Sequence, residues 1–169
     1  MNRRDMERYL KRLGRELHQQ HLTGEIIIAG GAAMSLALGS RRATRDIDAY
    51  FLTESQAIRV ARDHIAQAFG LPDDWLNDGV KRFFHTQPPT NLIREYPGLR
   101  VYAVAPSYLF AMKASAGRPQ DIRDLKNLIT YLNLTSAEEA LELVQQYVPA
   151  QRLAPKVRYI IESLFAEGG

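Results

Sequence analysis

Cysteine is absent from the 169 residues, which excludes any disulfide framework and any thiolate metal site. Long apolar runs are absent too: no stretch reaches the roughly 20 apolar residues that a membrane-spanning helix needs. The opening MNRRDMERYLKRLGREL is charged throughout and lacks an apolar signal core. A cytoplasmic protein without membrane association is therefore expected. Histidine is scarce, and His18, His21, His64 and His85 show no zinc-ligand spacing. His18 and His21 are expected to share a solvated helix face. Neither sign of charge dominates, since 22 Lys and Arg against 19 Asp and Glu leave a net +3. That balance permits a phosphate-rich partner without demanding one. What remains is an ordinary globular composition, 46% hydrophobic and 24% charged. The length fits one domain, or one domain with an appended helical half.

Met6, Leu10, Leu13 and Leu17 recur at helical spacing and predict an amphipathic helix over the first twenty residues. In EIIIAGG, the β-branched run Ile26–Ile28 suits a buried strand, and Gly30 and Gly31 break it before the helix-favouring AAMSLAL. DIDAYFL reads as a second strand, with Ile47, Ala49 and Phe51 alternating against Asp46 and Asp48. Thr53 with Gln56 forms a capping-box pattern for a helix over about 54–69, with Ile58, Ala61, Ile65 and Phe69 inward and Gly70 as its stop. LPDDWLNDGV suggests a short helical turn from Pro72, and TNLIREYPGLRVYAVA two strands about a Pro97-Gly98 turn. From Pro106 the chain reads as helical. PSYLFAMKASA is followed by a helix from Asp121 to Leu132, by one opened by a Ser136–Glu139 capping box, and by one starting at Pro155. Trp75, Phe83 and Phe84 read as packing residues. The fold class is α+β, an early mixed sheet with flanking helices and a late helical half, divided at 1–105 and 106–169.

The chemistry-bearing stretch is RRATRDIDAYF. Residues i and i+2 of a strand point to one face, so Asp46 and Asp48 project side by side. Paired carboxylates repel unless a cation lies between them. Hard oxygen ligands of this kind suit Mg²⁺ or Mn²⁺, which bind nucleotide phosphates and activate a hydroxyl for in-line displacement. Gly30 and Gly31, between strand and helix, leave backbone N–H groups open to a phosphate. Arg41, Arg42 and Arg45 can neutralise phosphate or a nucleic-acid backbone.

The order strand–Gly-Gly–helix–loop–Asp-x-Asp–strand resembles the nucleotidyltransferase fold of DNA polymerase beta. GGAAMSLALGSRRATRDIDAYF followed by LFAMKASAGRPQDIRDLKNL resembles, over about residues 25–130, the AbiEii and MenT branch of prokaryotic toxins. The resemblance implies Asp46 and Asp48 as metal ligands, Gly30 and Gly31 at the triphosphate, and Lys113 as a phosphate contact. Thr44, two positions before the first acid, either orients nucleotide or metal-bound water or caps its loop. Arg118 either contacts nucleotide or stays in an ion pair. LRVYAVA, where other members of the fold carry a third acid, holds none, so Asp121 is expected to take that part, with Asp124 either capping its helix or pairing along it with Arg118 or Arg123.

The resemblance implies a metal-dependent enzyme that moves a nucleoside monophosphate from a triphosphate to an acceptor hydroxyl, with RNA, at the tRNA 3′ end, as acceptor and with a cognate antitoxin protein as partner. Two alternatives stand beside it: an AMPylating antitoxin acting on a protein hydroxyl, and a degenerate member that binds nucleotide or a partner without turnover.

Overall fold

Met6, Leu10, Leu13 and Leu17 are fully buried, so the sequence periodicity becomes helix α1, Arg3–Gln19. Its start is closed reciprocally: the Asn2 side chain accepts from the Asp5 N–H at 3.0 Å and the Asp5 carboxylate accepts from the Asn2 N–H at 3.2 Å. The computed structural model describes residues 1–40, 43–84 and 86–166. They divide into two compact units, Met1–Arg82 with Thr90–Val104, and Phe83–Pro89 with Ala105–Gly169.

The first unit holds a mixed five-stranded sheet among the described residues. Its strands are β1 (Gly24–Ile28), β2 (Ile47–Thr53), β3 (Leu76–Asn77), β4 (Thr90–Tyr96) and β5 (Leu99–Val104). The spatial order is β3-β2-β1-β5-β4. β1 runs antiparallel to β2 and parallel to β5, β3 is parallel to β2, and β4 and β5 form an antiparallel hairpin. The apolar run Ile26–Ile28 belongs in the middle of this order because both of its faces are covered. Two helices lie between strands in the chain, α2 (Gly30–Leu36) and α3 (Ser55–Phe69), and α1 packs on both and on β5.

The second unit carries α4 (Pro106–Ala116), α5 (Ile122–Leu132), α6 (Ala137–Tyr147) and α7 (Pro155–Ala166), with α4 packed on the other three. Phe110, Leu125, Leu128, Ala140, Val144 and Ile161 are fully buried. Tyr108 meets Phe84 and Tyr147 edge-on, at 5.9 and 5.0 Å between ring centres. Among the described residues no helix is long and apolar enough to cross a membrane. The α+β class holds, as does the helical reading from Pro106 onward.

Several local expectations fail for physical reasons. Thr53 remains strand, and its hydroxyl reaches the Thr23 carbonyl at 3.5 Å instead of capping α3. Glu54, in the left-handed region at φ 53°, makes the turn into that helix. Phe69 is 44% exposed; it ends its helix and rests against the Tyr9 ring at 5.3 Å. His21 lies past the end of α1 at φ 58°, so it shares no helix face with His18. The helical turn expected from Pro72 is a tight turn, with the Trp75 N–H donating to the Pro72 carbonyl at 3.0 Å, and it leads into β3. At the Ser136 start of α6, the hydroxyl accepts from the Glu139 N–H at 3.1 Å, but the Glu139 carboxylate reaches back to Thr135, one residue further than a box requires. Phe83 is 48% exposed and is no core residue.

Two glycines set how closely the β4–β5 turn meets α1. Gly98, at φ +81°, has the Gly14 carbonyl and the His18 N–H where a Cβ would stand. A Cβ on Gly14 would lie 2.7 Å from the Pro97 carbonyl oxygen. Gly98→Ala therefore combines left-handed strain with overpacking, and its expected cost is about 3 kcal/mol. Urea unfolding followed by circular dichroism checks this; an unchanged midpoint would refute the close packing of turn and helix.

Candidate functional site

The site in the sheet unit begins with the burial of β2. Ile47 and Ala49 are fully buried, so alternation turns Asp48 to the other face, with Asp46 just ahead of the strand. The Ile47 N–H donates to the Trp75 carbonyl at 2.8 Å. Trp75 is itself buried, donates its indole N–H to the Arg62 carbonyl at 3.1 Å and meets Tyr9 edge-on. That anchor sets the register of β3 and lays Asn77 beside Asp48. Asp78 holds the far side, accepting from the Phe51 N–H at 2.9 Å and from Arg59 at 2.5 Å.

Asn77 is the central residue that the sequence reading missed. Its side-chain nitrogen donates to Asp46 Oδ2 at 3.2 Å and to Asp48 Oδ1 at 3.1 Å. A two-residue strand carries no periodicity, so the only trace of it in the sequence is a lone amide after the apolar pair Trp75-Leu76.

The glycines fit the same construction. Gly30 sits at φ +59°, and a Cβ there would lie 2.9 Å from Asp48 Oδ2. A Cβ on Gly31 would lie 2.9 Å from the Thr44 hydroxyl oxygen. The turn after β1 is thus open enough for the acid and the hydroxyl to close on it. Thr44 donates its hydroxyl to the Asp46 carbonyl at 3.1 Å, which fixes the approach to the acids. Arg45 is mostly exposed and approaches Asp74 loosely at 4.0 Å. Arg41 and Arg42 lie outside the described residues.

The helical unit has an acid group of its own. Lys113, buried in an otherwise apolar helix face, reaches Asp121 Oδ1 at 2.6 Å and Asp124 Oδ2 at 2.9 Å. Asp124 thus pairs with Lys113, a contact the sequence reading did not anticipate. Arg118 is exposed at the start of the short turn Pro119–Asp121. Among the described residues no group of three or more acids or histidines is placed to hold a metal ion. The donor chemistry of the Asp46–Asp48 pair nonetheless fits a hard divalent cation: two carboxylates converge on one position beside a turn that lacks side chains.

Burial raises the Asp46 carboxyl above its ordinary 3.8, and the charges of Asp48 and Asp74 push the same way against Arg45. Ionising Asp46 therefore costs the folded state. The cost is absent below 3.8, grows as pH climbs towards the raised value, and is complete above it. Asp46→Asn is expected to flatten this fall in stability between acid and neutral pH in EDTA. Melting temperatures of both proteins across that range check it, and parallel curves would refute it. Lys113→Ala leaves two confined carboxylates without their cation, and the expected loss is about 3 kcal/mol. Adding Asp121→Asn and Asp124→Asn should recover part of it in urea unfolding.

The α+β architecture, with its mixed sheet flanked by helices and its helical C-terminal part, is consistent with a nucleotidyltransferase fold. No curated protein and no solved structure matches the chain. A family described as nucleotidyltransferase of unknown function (DUF6036) matches residues 8–148, a span that contains the whole sheet and every described site residue named above. The chain belongs to this nucleotidyltransferase family.

Proposed function

We propose that the chain transfers a nucleoside monophosphate from a nucleoside triphosphate to an acceptor hydroxyl, using Mg²⁺ or Mn²⁺ held by Asp46 and Asp48. The observation that carries this reading is the convergence of the two carboxylates on one position beside the Gly30–Gly31 turn. The acceptor oxygen bonds to the α-phosphorus, the bond from that phosphorus to the bridging oxygen breaks, and pyrophosphate leaves with the electron pair while the hydroxyl proton passes to solvent. The bound cation supplies charge neutralisation at the phosphates and activation of the hydroxyl. Asp46 and Asp48 hold and orient it. The Thr44 hydroxyl steadies the loop before the acids, and the exposed Arg45 is free to meet a phosphate. Arg41 and Arg42 share that task on sequence grounds.

The acceptor in this reading is RNA, at the tRNA 3′ end, and the protein is the toxin of a toxin–antitoxin or phage-defence pair with a cognate antitoxin. The likeness of the Gly-Gly, Thr-x-Asp-x-Asp and Lys113 stretches to the AbiEii and MenT branch supports this, as does the net positive charge.

The test is a transfer assay with the full chain, Mg²⁺ or Mn²⁺, each labelled nucleoside triphosphate in turn, and total tRNA. Label is expected on tRNA, and the Asp46→Asn/Asp48→Asn variant is expected to lose about 100-fold or more of the rate. Label on protein would turn the reading to AMPylation of a partner. Absence of transfer, with nucleotide binding equal in both proteins, would refute catalysis at this site.

A further inference from the structure

We infer that Asn77 is the third ligand of the Asp46–Asp48 site, through its amide oxygen. The inference rests on the reading that these acids hold a divalent cation. The pairing of β3 with β2 sets the backbone of Asn77, with Asn77 in register with Asp48. Its side-chain nitrogen donates to both acids, at 3.2 and 3.1 Å. The amide therefore occupies the position on which both carboxylates converge. An amide group exchanges its oxygen and nitrogen by a half-turn about the bond to Cβ, a broad and roughly two-fold torsion. Which end faces inward follows from the surrounding charge. Facing two bare carboxylates, the NH₂ end is favoured. Facing a dication held by those carboxylates, the carbonyl oxygen is favoured, and such oxygens are ordinary ligands of hard divalent ions.

The charge balance supports the same conclusion. Two carboxylates and a neutral amide match the charge of one divalent ion, whereas a third carboxylate in place of Asn77 would overload the metal-free site. Asn77 thus adds a donor that, unlike a carboxylate, brings no further negative charge to the two acids. β5 contributes no acid; β3, paired with β2, contributes the amide.

The experiment measures binding of Mn²⁺ alone to the metal-stripped full chain by electron paramagnetic resonance. Wild type is expected to bind one Mn²⁺, and Asp48→Asn to lose it. Asn77→Ala is expected to bind roughly tenfold more weakly, and Asn77→Asp more tightly than wild type. If Asp48→Asn loses the ion while Asn77→Ala binds as well as wild type or better, Asn77 is only a clamp that the ion displaces. The inference then fails and the metal reading stands. Asn77→Asp binding no tighter than wild type overturns it too, and a wild type that binds no Mn²⁺ overturns both. A second measurement needs no destabilising variant. In ¹⁵N correlation spectra of the wild type, the Asn77 side-chain NH₂ pair, assigned by its loss in Asn77→Asp, is expected to shift on adding Mg²⁺. An unmoved pair at saturating Mg²⁺ overturns the inference.

Discussion

Two like charges brought onto one amide are the constraint behind the sheet unit's design. Ile47 and Ala49 are locked into the core, which turns Asp48 to the opposite face of β2 with Asp46 just ahead of the strand. Several neighbours hold the pair in place. The Asn77 amide bridges the pair, Trp75 anchors the strand that carries the amide, and Asp78 ties the next residue to β2 and to Arg59. A two-residue strand has little pairing energy of its own, so these side-chain anchors define its position.

The close approach of the Gly30–Gly31 turn belongs to the same construction. Any Cβ at Gly30 would press on the Asp48 carboxylate, and any Cβ at Gly31 on the Thr44 hydroxyl. The absence of side chains here thus serves the protein's own polar groups before it serves any ligand. Such crowding of partly buried acids is destabilising in an empty site, and it is a form of strain that functional sites commonly retain.

The helical unit solves a similar problem differently. Asp121 and Asp124 face the ammonium of Lys113, so a buried cation meets two confined acids. Among the described residues, Asp46 and Asp48 share the Asn77 amide, and the Arg45 charge acts on Asp46 against those of Asp48 and Asp74.

Much was legible in the sequence because the signals were local. The heptad-like spacing of Met6 to Leu17, the Ile26–Ile28 run and the alternation through Phe51 each specify which face is buried, and burial dominates their energetics. Gly30, Gly31, Asp46 and Asp48 were readable as one site because strand alternation places the two acids on one face. The misjudged elements were those without local energy. Thr53 and Gln56 carry a capping pattern, but strand pairing extends through Thr53 and leaves the turn to Glu54. Asn77 lies on a strand too short for periodicity. The sequence by itself determined most of the buried faces, though not at Phe69 or Phe83, and that two acids share a face. Tertiary structure alone decided what meets those acids, because the amide that bridges them arrives from 29 residues beyond Asp48, across a parallel pairing that no local preference encodes.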